Sequence, residues 1–193
     1  MEAGTSYPGL HDPRSHHGSC GGGAVVDLSG EPGHRVVELG LSALCRLDHR
    51  GARGAEEGCG DGAGILLQTP HAFFAKEVPG LPDGQGYGVG QVFLDRNADM
   101  DRVRRLVETA AAGDRLDVVA WRRVPTDPSG LGRSALVCEP AVWQFFVAPR
   151  EPLPPNGLDT RLYLLRKAIE RRVHEEAPDA GLYVCSLDRR RVV

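Results

Sequence analysis

The apolar residues of this chain recur at two different spacings, which predicts both helices and strands. Apolar residues three or four positions apart predict an amphipathic helix over His34–Arg46, a second helix that is capped by Asp99 and stopped by Gly113, and a third that is capped by Asp159. Short apolar runs predict strands at 24–28, 65–68, 88–94, 118–124, 142–147 and 182–187. This pattern predicts a mixed α and β chain with a single core.

Glycine and proline mark the segments between these elements. Two loops dense in glycine are predicted at 49–54 and 58–64, a Pro/Gly loop at 126–132, and a proline-rich linker at 149–156. Near the end, the residues 188–190 predict a turn into a strand that begins at Val192. We therefore expect the sequence to end inside a hairpin.

Composition and charge exclude several classes of protein. The chain has 193 residues, of which 41% are hydrophobic and 25% charged, the balance of a globular protein with one core. Its formal net charge of −3 gives no electrostatic reason to expect nucleic acid, and the short basic run 189–191 is interpreted as a solvated turn. The longest apolar runs fall far short of the ~20 residues that a membrane-spanning helix needs.

The cysteines and histidines predict neither disulfides nor a metal site. The five cysteines stand at positions 20, 45, 59, 138 and 185, an odd number whose spacings fit neither a disulfide scaffold nor paired zinc ligands. We therefore expect a reducing, cytoplasmic environment, with Cys45, Cys138 and Cys185 in the core. The adjacent pair His16-His17 lacks a further ligand set, so no metal is predicted.

Cys20 is the candidate nucleophile. It stands in Ser19-Cys20-Gly21-Gly22-Gly23, ahead of the apolar run 24–28, after a leader (1–19) that lacks the basic and apolar regions of an export signal. On local sequence alone Cys59, which also sits among glycines, is a rival. Cys20 could instead be a small buried apolar residue, the usual fate of a lone cysteine.

Two sequence blocks downstream of the motif around Cys20 add to it and together resemble a known family. They are Leu47-Asp48-His49-Arg50-Gly51-Ala52 and Gly60-Asp61-Gly62-Ala63-Gly64-Ile65-Leu66. With the segments Pro70-His71-Ala72-Phe73-Phe74, Trp121-Arg122-Arg123-Val124-Pro125 and Leu164-Leu165-Arg166-Lys167, they make the chain resemble the amino-terminal class II glutamine amidotransferase domain of the glutamate synthase large subunit. It departs from the usual pattern at Gly22, where a bulkier residue is common, and at Cys59, where a threonine is common.

The resemblance implies a fold and a domain organisation. The fold is α+β, of the N-terminal-nucleophile hydrolase type: a four-layer αββα sandwich of antiparallel sheets, which we expect to be incomplete at the C-terminus. Residues 1–19 are then a propeptide and residues 20–193 the amino-terminal portion of the amidotransferase domain.

The resemblance also implies the chemistry. The thiolate of Cys20 attacks the carboxamide of glutamine, and the α-amino group of Cys20, freed by removal of the leader, is the base. The residues that shape the site are Gly21, His49, Arg50, Gly51 and Asp61. Among them, Arg50 is expected to stabilise the wall of the site through hydrogen bonds. The alternative for 49–51 is an ordinary surface loop, and the glycine pattern around Asp61 is too weak to indicate a nucleotide site.

For a complete enzyme, the resemblance implies that ammonia passes to a synthase domain that makes glutamate from 2-oxoglutarate. That enzyme carries FMN and an iron-sulfur cluster and has a small flavoprotein subunit as partner, whereas no cofactor is expected in these residues. The family's carboxylate-binding arginine and Asn-Gly oxyanion pair do not occur before Val193, so we expect the 193 residues alone to be inactive. The alternatives are a stand-alone class II amidotransferase of another pathway and a non-catalytic remnant or binding module.

Overall fold

The computed structural model describes residues 21–54, 56–84 and 86–193, which fall into two compact units. The smaller unit contains the described residues up to Arg53 together with Gly60–Gly62. Its helix is α1 (His34–Arg46), followed by a 3-10 turn at Asp48–Arg50. The larger unit contains Gly54–Cys59 and Ala63–Val193.

The larger unit is built on antiparallel strands. Its elements in chain order are β1 (Leu67–Gln68), α2 (His71–Glu77), β2 (Gly88–Leu94), α3 (Met100–Gly113), β3 (Leu116–Arg123), α4 (Arg133–Val137), β4 (Ala141–Pro149), α5 (Gly157–Glu176), a 3-10 turn (Pro178–Ala180), β5 (Tyr183–Asp188) and β6 (Arg191–Val192). Four strands form one antiparallel sheet in the order β3-β4-β2-β5, and β1 pairs with β6. The α+β class with antiparallel sheets is therefore confirmed.

One face of the four-stranded sheet is covered by α3 and α5. Apolar residues spaced along both helices are buried there against Val92, Phe145 and Val184 of the strands. The approach is close because β2 has glycine at two positions on this face. A Cβ atom at Gly90 would lie 2.2 Å from the Phe145 ring, and one at Gly88 would lie 2.5 Å from Leu162.

The other face of the sheet carries a second, smaller cluster. Phe74 and Val78 from α2 and its end pack there with Val89, Phe146 and Tyr87. Phe74 and Phe146 meet edge to face, with ring centroids 5.1 Å apart. Both faces of the central strands β2 and β4 are therefore buried, which explains why their apolar runs are nearly continuous.

Several predicted elements are confirmed. Helix α1 has the predicted bounds, as does strand β2. Helix α3 is capped as predicted, because the side chain of Asp99 accepts hydrogen bonds from the backbone N–H groups of Asp101 (3.0 Å) and Arg102 (3.1 Å). The helix ends at Gly113 as predicted, but Gly113 itself is not left-handed. The residue in the left-handed region is Arg115 (φ 55°), two positions later.

The predicted strand at 24–28 is wrong. These residues are irregular, and Val26 and Leu28 are 74% and 97% exposed. A strand requires a neighbour that satisfies its backbone groups, and within the described residues none pairs with this segment. The predicted strand at 65–68 is shortened to Leu67–Gln68 for the same reason, since only these two residues meet β6.

The predicted cap of α5 and the predicted terminal hairpin are also wrong. Helix α5 begins at Gly157, with Asn156 as its cap in the left-handed region (φ 62°), so Asp159 already lies in the first turn. There its carboxylate receives hydrogen bonds from Arg189 at 2.7 and 3.0 Å. The turn after β5 does form, but β6 pairs with β1 and not with β5.

Two cysteines predicted to lie in the core are exposed. Cys45 and Cys138 are at the surface, whereas Cys59 and Cys185 are partly buried, and all four are free thiols. Cys45 lies on α1, on which no residue is fully buried, and Cys138 directly follows α4, which was not predicted from the sequence. Over the part of the chain that the structure describes, no helix is long and apolar enough to span a membrane.

Candidate functional site

The nucleophile proposed from the sequence, Cys20, lies outside the described residues, so its neighbour Gly21 is the nearest described position. Within the smaller unit, Gly21 lies against the segment that follows α1. A Cβ atom placed on Gly21 would be 3.0 Å from Leu47 Cδ2 and 3.5 Å from Arg50 Cβ. The structure thus brings two of the predicted site residues together, Gly21 and Arg50.

The segment 47–53 is held by local hydrogen bonds. The N–H of Arg50 donates to Leu47 O (2.8 Å), and that of Gly51 donates to Asp48 O (3.1 Å), which closes a 3-10 turn after α1. The ring Nδ1 of His49 lies 3.0 Å from the Arg46 carbonyl, an acceptor, so Nδ1 is the protonated nitrogen in this contact.

Asp61 is tied to the same segment from the second glycine-rich loop. Its carboxylate accepts a hydrogen bond from the N–H of Ala52 (2.8 Å), and its own N–H donates to Ala52 O (2.9 Å). Next to it, Arg53 and Gly60 form an antiparallel bridge. A Cβ atom at Gly60 would lie 2.7 Å from Ala52 O, so this close pairing requires glycine. Asp61 thus holds the backbone at Ala52 through two hydrogen bonds, and its part in shaping the site stays a prediction.

The side chains of this segment differ in how strongly they are fixed. Arg53 pairs with Asp48 at 2.7 Å, although both side chains are exposed. Within the described residues, no hydrogen bond is assigned to the guanidinium of Arg50, so its predicted role in the wall remains a prediction. Nor do those residues include three or more His, Cys, Asp or Glu grouped as metal ligands.

The rival cysteine, Cys59, belongs to a different cluster, in the larger unit. Its Sγ lies 3.0 Å from Ser134 Oγ and 3.6 Å from Glu56 Oε2. The Glu56 carboxylate accepts hydrogen bonds from the N–H of Arg133 (2.7 Å), the N–H of Ser134 (3.2 Å) and the hydroxyl of Ser134 (2.8 Å). The Ser134 hydroxyl, more than any other group, lowers the pKa of Glu56.

This arrangement gives Cys59 a structural explanation. Glu56 satisfies the first backbone N–H groups of α4, and Cys59 packs beside the contact. A Cβ atom at Gly132 would lie 2.7 Å from Cys59 Sγ, so the thiol fills the space against the start of α4. Sequence reasoning missed Glu56 and Ser134, because α4 has only five residues and its capping carboxylate lies 77 positions away from Arg133.

Comparison with known proteins connects these residues to a family. The family model described as glutamine amidotransferases class-II matches residues 20–193, so the match begins at Cys20 itself.

Three curated relatives are similar over nearly the whole chain. The glutamate synthase [NADPH] large chain of Bacillus subtilis is 35% identical over 189 residues, covering 96% of this chain and 12% of that protein. Ferredoxin-dependent glutamate synthase 1 of Arabidopsis thaliana is 35% identical, covering 95% of this chain and 12% of that protein. Glutamate synthase [NADH] of Saccharomyces cerevisiae is 36% identical, covering 96% and 9%. The chain spans about a tenth of the length of these relatives.

Proposed function

The chain belongs to the class II glutamine amidotransferases, and from this membership we propose that it releases ammonia from the side chain of glutamine with Cys20 as nucleophile. The observation that carries the proposal is the start of the family match at Cys20. The contact between Gly21 and the segment of Leu47 and Arg50 supports it, because it brings the backbone next to Cys20 beside a segment that the resemblance assigns to the site.

The proposed reaction has two halves. In the first, the α-amino group of Cys20 takes the thiol proton, the sulfur attacks the carboxamide carbon, and the proton is passed to the departing nitrogen, which leaves as ammonia. In the second, water attacks the resulting glutamyl thioester, which releases glutamate and restores the thiol. An α-amine suits the task because its ordinary pKa is about 7.7–8.0, so a substantial fraction is neutral near neutral pH.

This mechanism requires that the peptide bond between Ser19 and Cys20 be cut. Residues 1–19 are therefore proposed to be a propeptide, and residues 20–193 the amino-terminal portion of the catalytic domain. Removal of the initiator methionine cannot free the amine of residue 20. The cleavage is therefore either enzymatic or self-catalysed, with the thiol of Cys20 attacking the Ser19 carbonyl.

The remaining predicted site residues are given a shaping role. Gly21 leaves room beside Leu47, Asp61 fixes the backbone at Ala52, and the turn through His49, Arg50 and Gly51 forms the wall near Gly21. None of these groups is assigned a proton transfer. Loss of one of them should lower the rate by misplacing the thiol, because catalysis depends on sub-ångström placement of the reacting atoms.

We also propose the finer architecture of the family, a four-layer αββα sandwich. The four-stranded sheet with α3 and α5 on one face supplies one helical layer and one sheet layer of this arrangement. Burial of Val89 and Phe146 on the opposite face supports a further layer there, because apolar side chains on both faces of a sheet need cover on both.

In a complete glutamate synthase, the ammonia would serve the amination of 2-oxoglutarate. This part of the proposal rests on the three relatives, each named a glutamate synthase. The FMN and iron-sulfur sites would lie outside residues 20–193, and a small flavoprotein subunit would be the partner. Cytoplasmic location belongs to the same proposal and is supported by the four free thiols among the described residues.

The test is a comparison of two nitrogen donors with the complete protein. Cys20→Ala should abolish glutamate synthesis from glutamine while sparing synthesis from added ammonia, because only the first requires the thiol. Cys59→Ser is the matched control and should retain most of both activities, since the structure explains Cys59 by its contact with Ser134. Equal loss of both activities in folded Cys20→Ala protein would refute the proposal and indicate a structural role.

A further inference from the structure

A row of four polar side chains crosses the four-stranded sheet from edge to edge. It consists of Arg122 on β3, Gln144 on β4, Gln91 on β2 and Ser186 on β5, and we call it the polar row. Each member stands directly opposite the next in the strand register. Because Val92 faces α3 and α5, its neighbour Gln91 points to the other face of the sheet, and the row lies there.

Arg122 fixes the direction of the hydrogen bonds along the row. Its guanidinium can only donate, and Nη1 donates to Gln144 Oε1 at 3.1 Å. The amide nitrogen of Gln144 therefore faces Gln91, and it donates to Gln91 Oε1 at 3.0 Å. This leaves the amide nitrogen of Gln91 as the free end of the row. The charged Arg122 on β3 thus orients two amides, that of Gln144 on the adjacent strand β4 and that of Gln91 on β2, two strands away.

At the β5 end, the row stops at an unpaired hydroxyl. Gln91 is 8% exposed, and its amide oxygen is already used by Gln144, which leaves its amide nitrogen for a partner on the side away from Gln144. Among the residues that the structure describes, the hydroxyl of Ser186 is buried without a hydrogen bond. Buried groups of this kind are nearly always satisfied by protein or by ordered water, since leaving them unpaired costs stability.

The backbone next to this end is irregular. The register between β2 and β5 shifts between Gln91 and Val92, because Cys185 is an extra residue on β5 between Val184 and Ser186. Such a bulge bends its strand and redirects the neighbouring side chains. Directly opposed residues in a sheet have Cβ atoms ~4.5–5.5 Å apart, so Gln91 and Ser186 are side-chain neighbours on this face. A buried water needs two or more polar partners, which this pair can supply.

We propose that the polar row ends in a binding site for one ordered water molecule, which accepts a hydrogen bond from Gln91 Nε2 and bonds to Ser186 Oγ. In this arrangement, Arg122 is a positioning residue: it acts on the water through the fixed amides of Gln144 and Gln91. The row then satisfies its polar groups across the full width of the sheet, while its two glutamines remain buried.

The direct test is a crystal structure of the complete protein at a resolution that shows water molecules. The expected result is a water within about 2.7–3.2 Å of both Gln91 Nε2 and Ser186 Oγ. Gln91→Met and Ser186→Ala should each remove it. A direct bond between Gln91 and Ser186, or a protein atom in the space between them, would overturn the proposal.

Hydrogen exchange provides a second readout, which separates a bound hydroxyl from an unsatisfied one. If Ser186 is hydrated as proposed, Ser186→Ala should lower the protection of the β2 and β5 amides by about two- to tenfold, the range for one hydrogen bond. Removal of an unsatisfied hydroxyl would instead raise protection or leave it unchanged, and either result would contradict the site.

The positioning role of Arg122 has its own matched control on the same strand. Arg122→Met should release the Gln144 amide, weaken the water density and lower protection in β5, two strands away. Arg123→Met, at the exposed next position, should change neither. If the density and the β5 protection survive Arg122→Met intact, the guanidinium does not position the water.

Discussion

At the scale of single residues, glycine determines how closely the layers of the larger unit approach. Gly90 lies beneath the ring of Phe145, which is fully buried between the sheet and its helices. Gly113, at the end of α3, has open space where a Cβ atom would stand and has no positive φ. The same substitution at these two positions should therefore have opposite effects.

We predict that Gly90→Ala destabilises the larger unit by about 1–3 kcal/mol, because the added methyl group overlaps a ring that has no free space to enter. Gly113→Ala should stabilise it by up to ~1 kcal/mol, because alanine favours the helix and restricts the unfolded chain. Native-state hydrogen exchange of the β2 and α3 amides measures both effects. A neutral Gly90→Ala would show that the sheet and Phe145 do not pack as described.

The site was predictable only in part at this scale. The motif around Cys20 and the blocks around His49 and Asp61 stand out because their residue types are unusual together, and the contact of Gly21 with Leu47 and Arg50 agrees with that grouping. Glu56, by contrast, is not part of an unusual combination of residue types. Its partners lie on a helix of five residues far along the chain, and no local pattern encodes such a contact.

At the scale of elements, periodicity predicted helices better than it predicted their first residues. The apolar residues of α5 are buried as their spacing indicates, but the helix begins two residues before Asp159. Aspartate is favoured both as a cap and in the first turn of a helix, so the residue type alone does not distinguish these positions. The contact that fixes its place is with Arg189, 30 residues away.

That contact predicts a dependence on pH. Hydrogen bonds from Arg189 lower the pKa of Asp159 below its ordinary value, so the folded state binds a proton less readily than the unfolded chain. The stabilisation is therefore complete above the unfolded pKa of about 3.9 and is lost as the pH falls through the lowered value.

Asp159→Asn should accordingly cost about 0.3–1 kcal/mol at pH 7, a modest value because the carboxylate is 37% exposed, and almost nothing near pH 2. The check is the opening free energy of the α5 amides by hydrogen exchange at both pH values, corrected for intrinsic rates. Asp83→Asn, at another exposed carboxylate, is the control. A cost that stays constant down to pH 2 would contradict the ion pair.

At the scale of the whole molecule, the order of the strands in the sheet could not be predicted from the sequence. Periodicity indicates β2, β3, β4 and β5 separately, but the sheet order β3-β4-β2-β5 depends on pairings between strands that are separated along the chain by helices and other strands. For the same reason the sequence predicts a hairpin of β6 with β5, its neighbour along the chain, although its partner is β1, more than a hundred residues earlier. The segment 24–28 is apolar but not a strand, because an apolar run forms a strand only where a partner is present.

In the proposed reaction Cys20, at the amino terminus of the processed chain, attacks glutamine. The most direct measurement is peptide mass mapping after reaction of the complete, active protein with an electrophilic diazoketone analogue of glutamine. We expect one adduct, on a peptide that begins at Cys20, and protection by excess glutamine. An adduct on Cys59, or on Cys20 still joined to Ser19 in fully active protein, would contradict it.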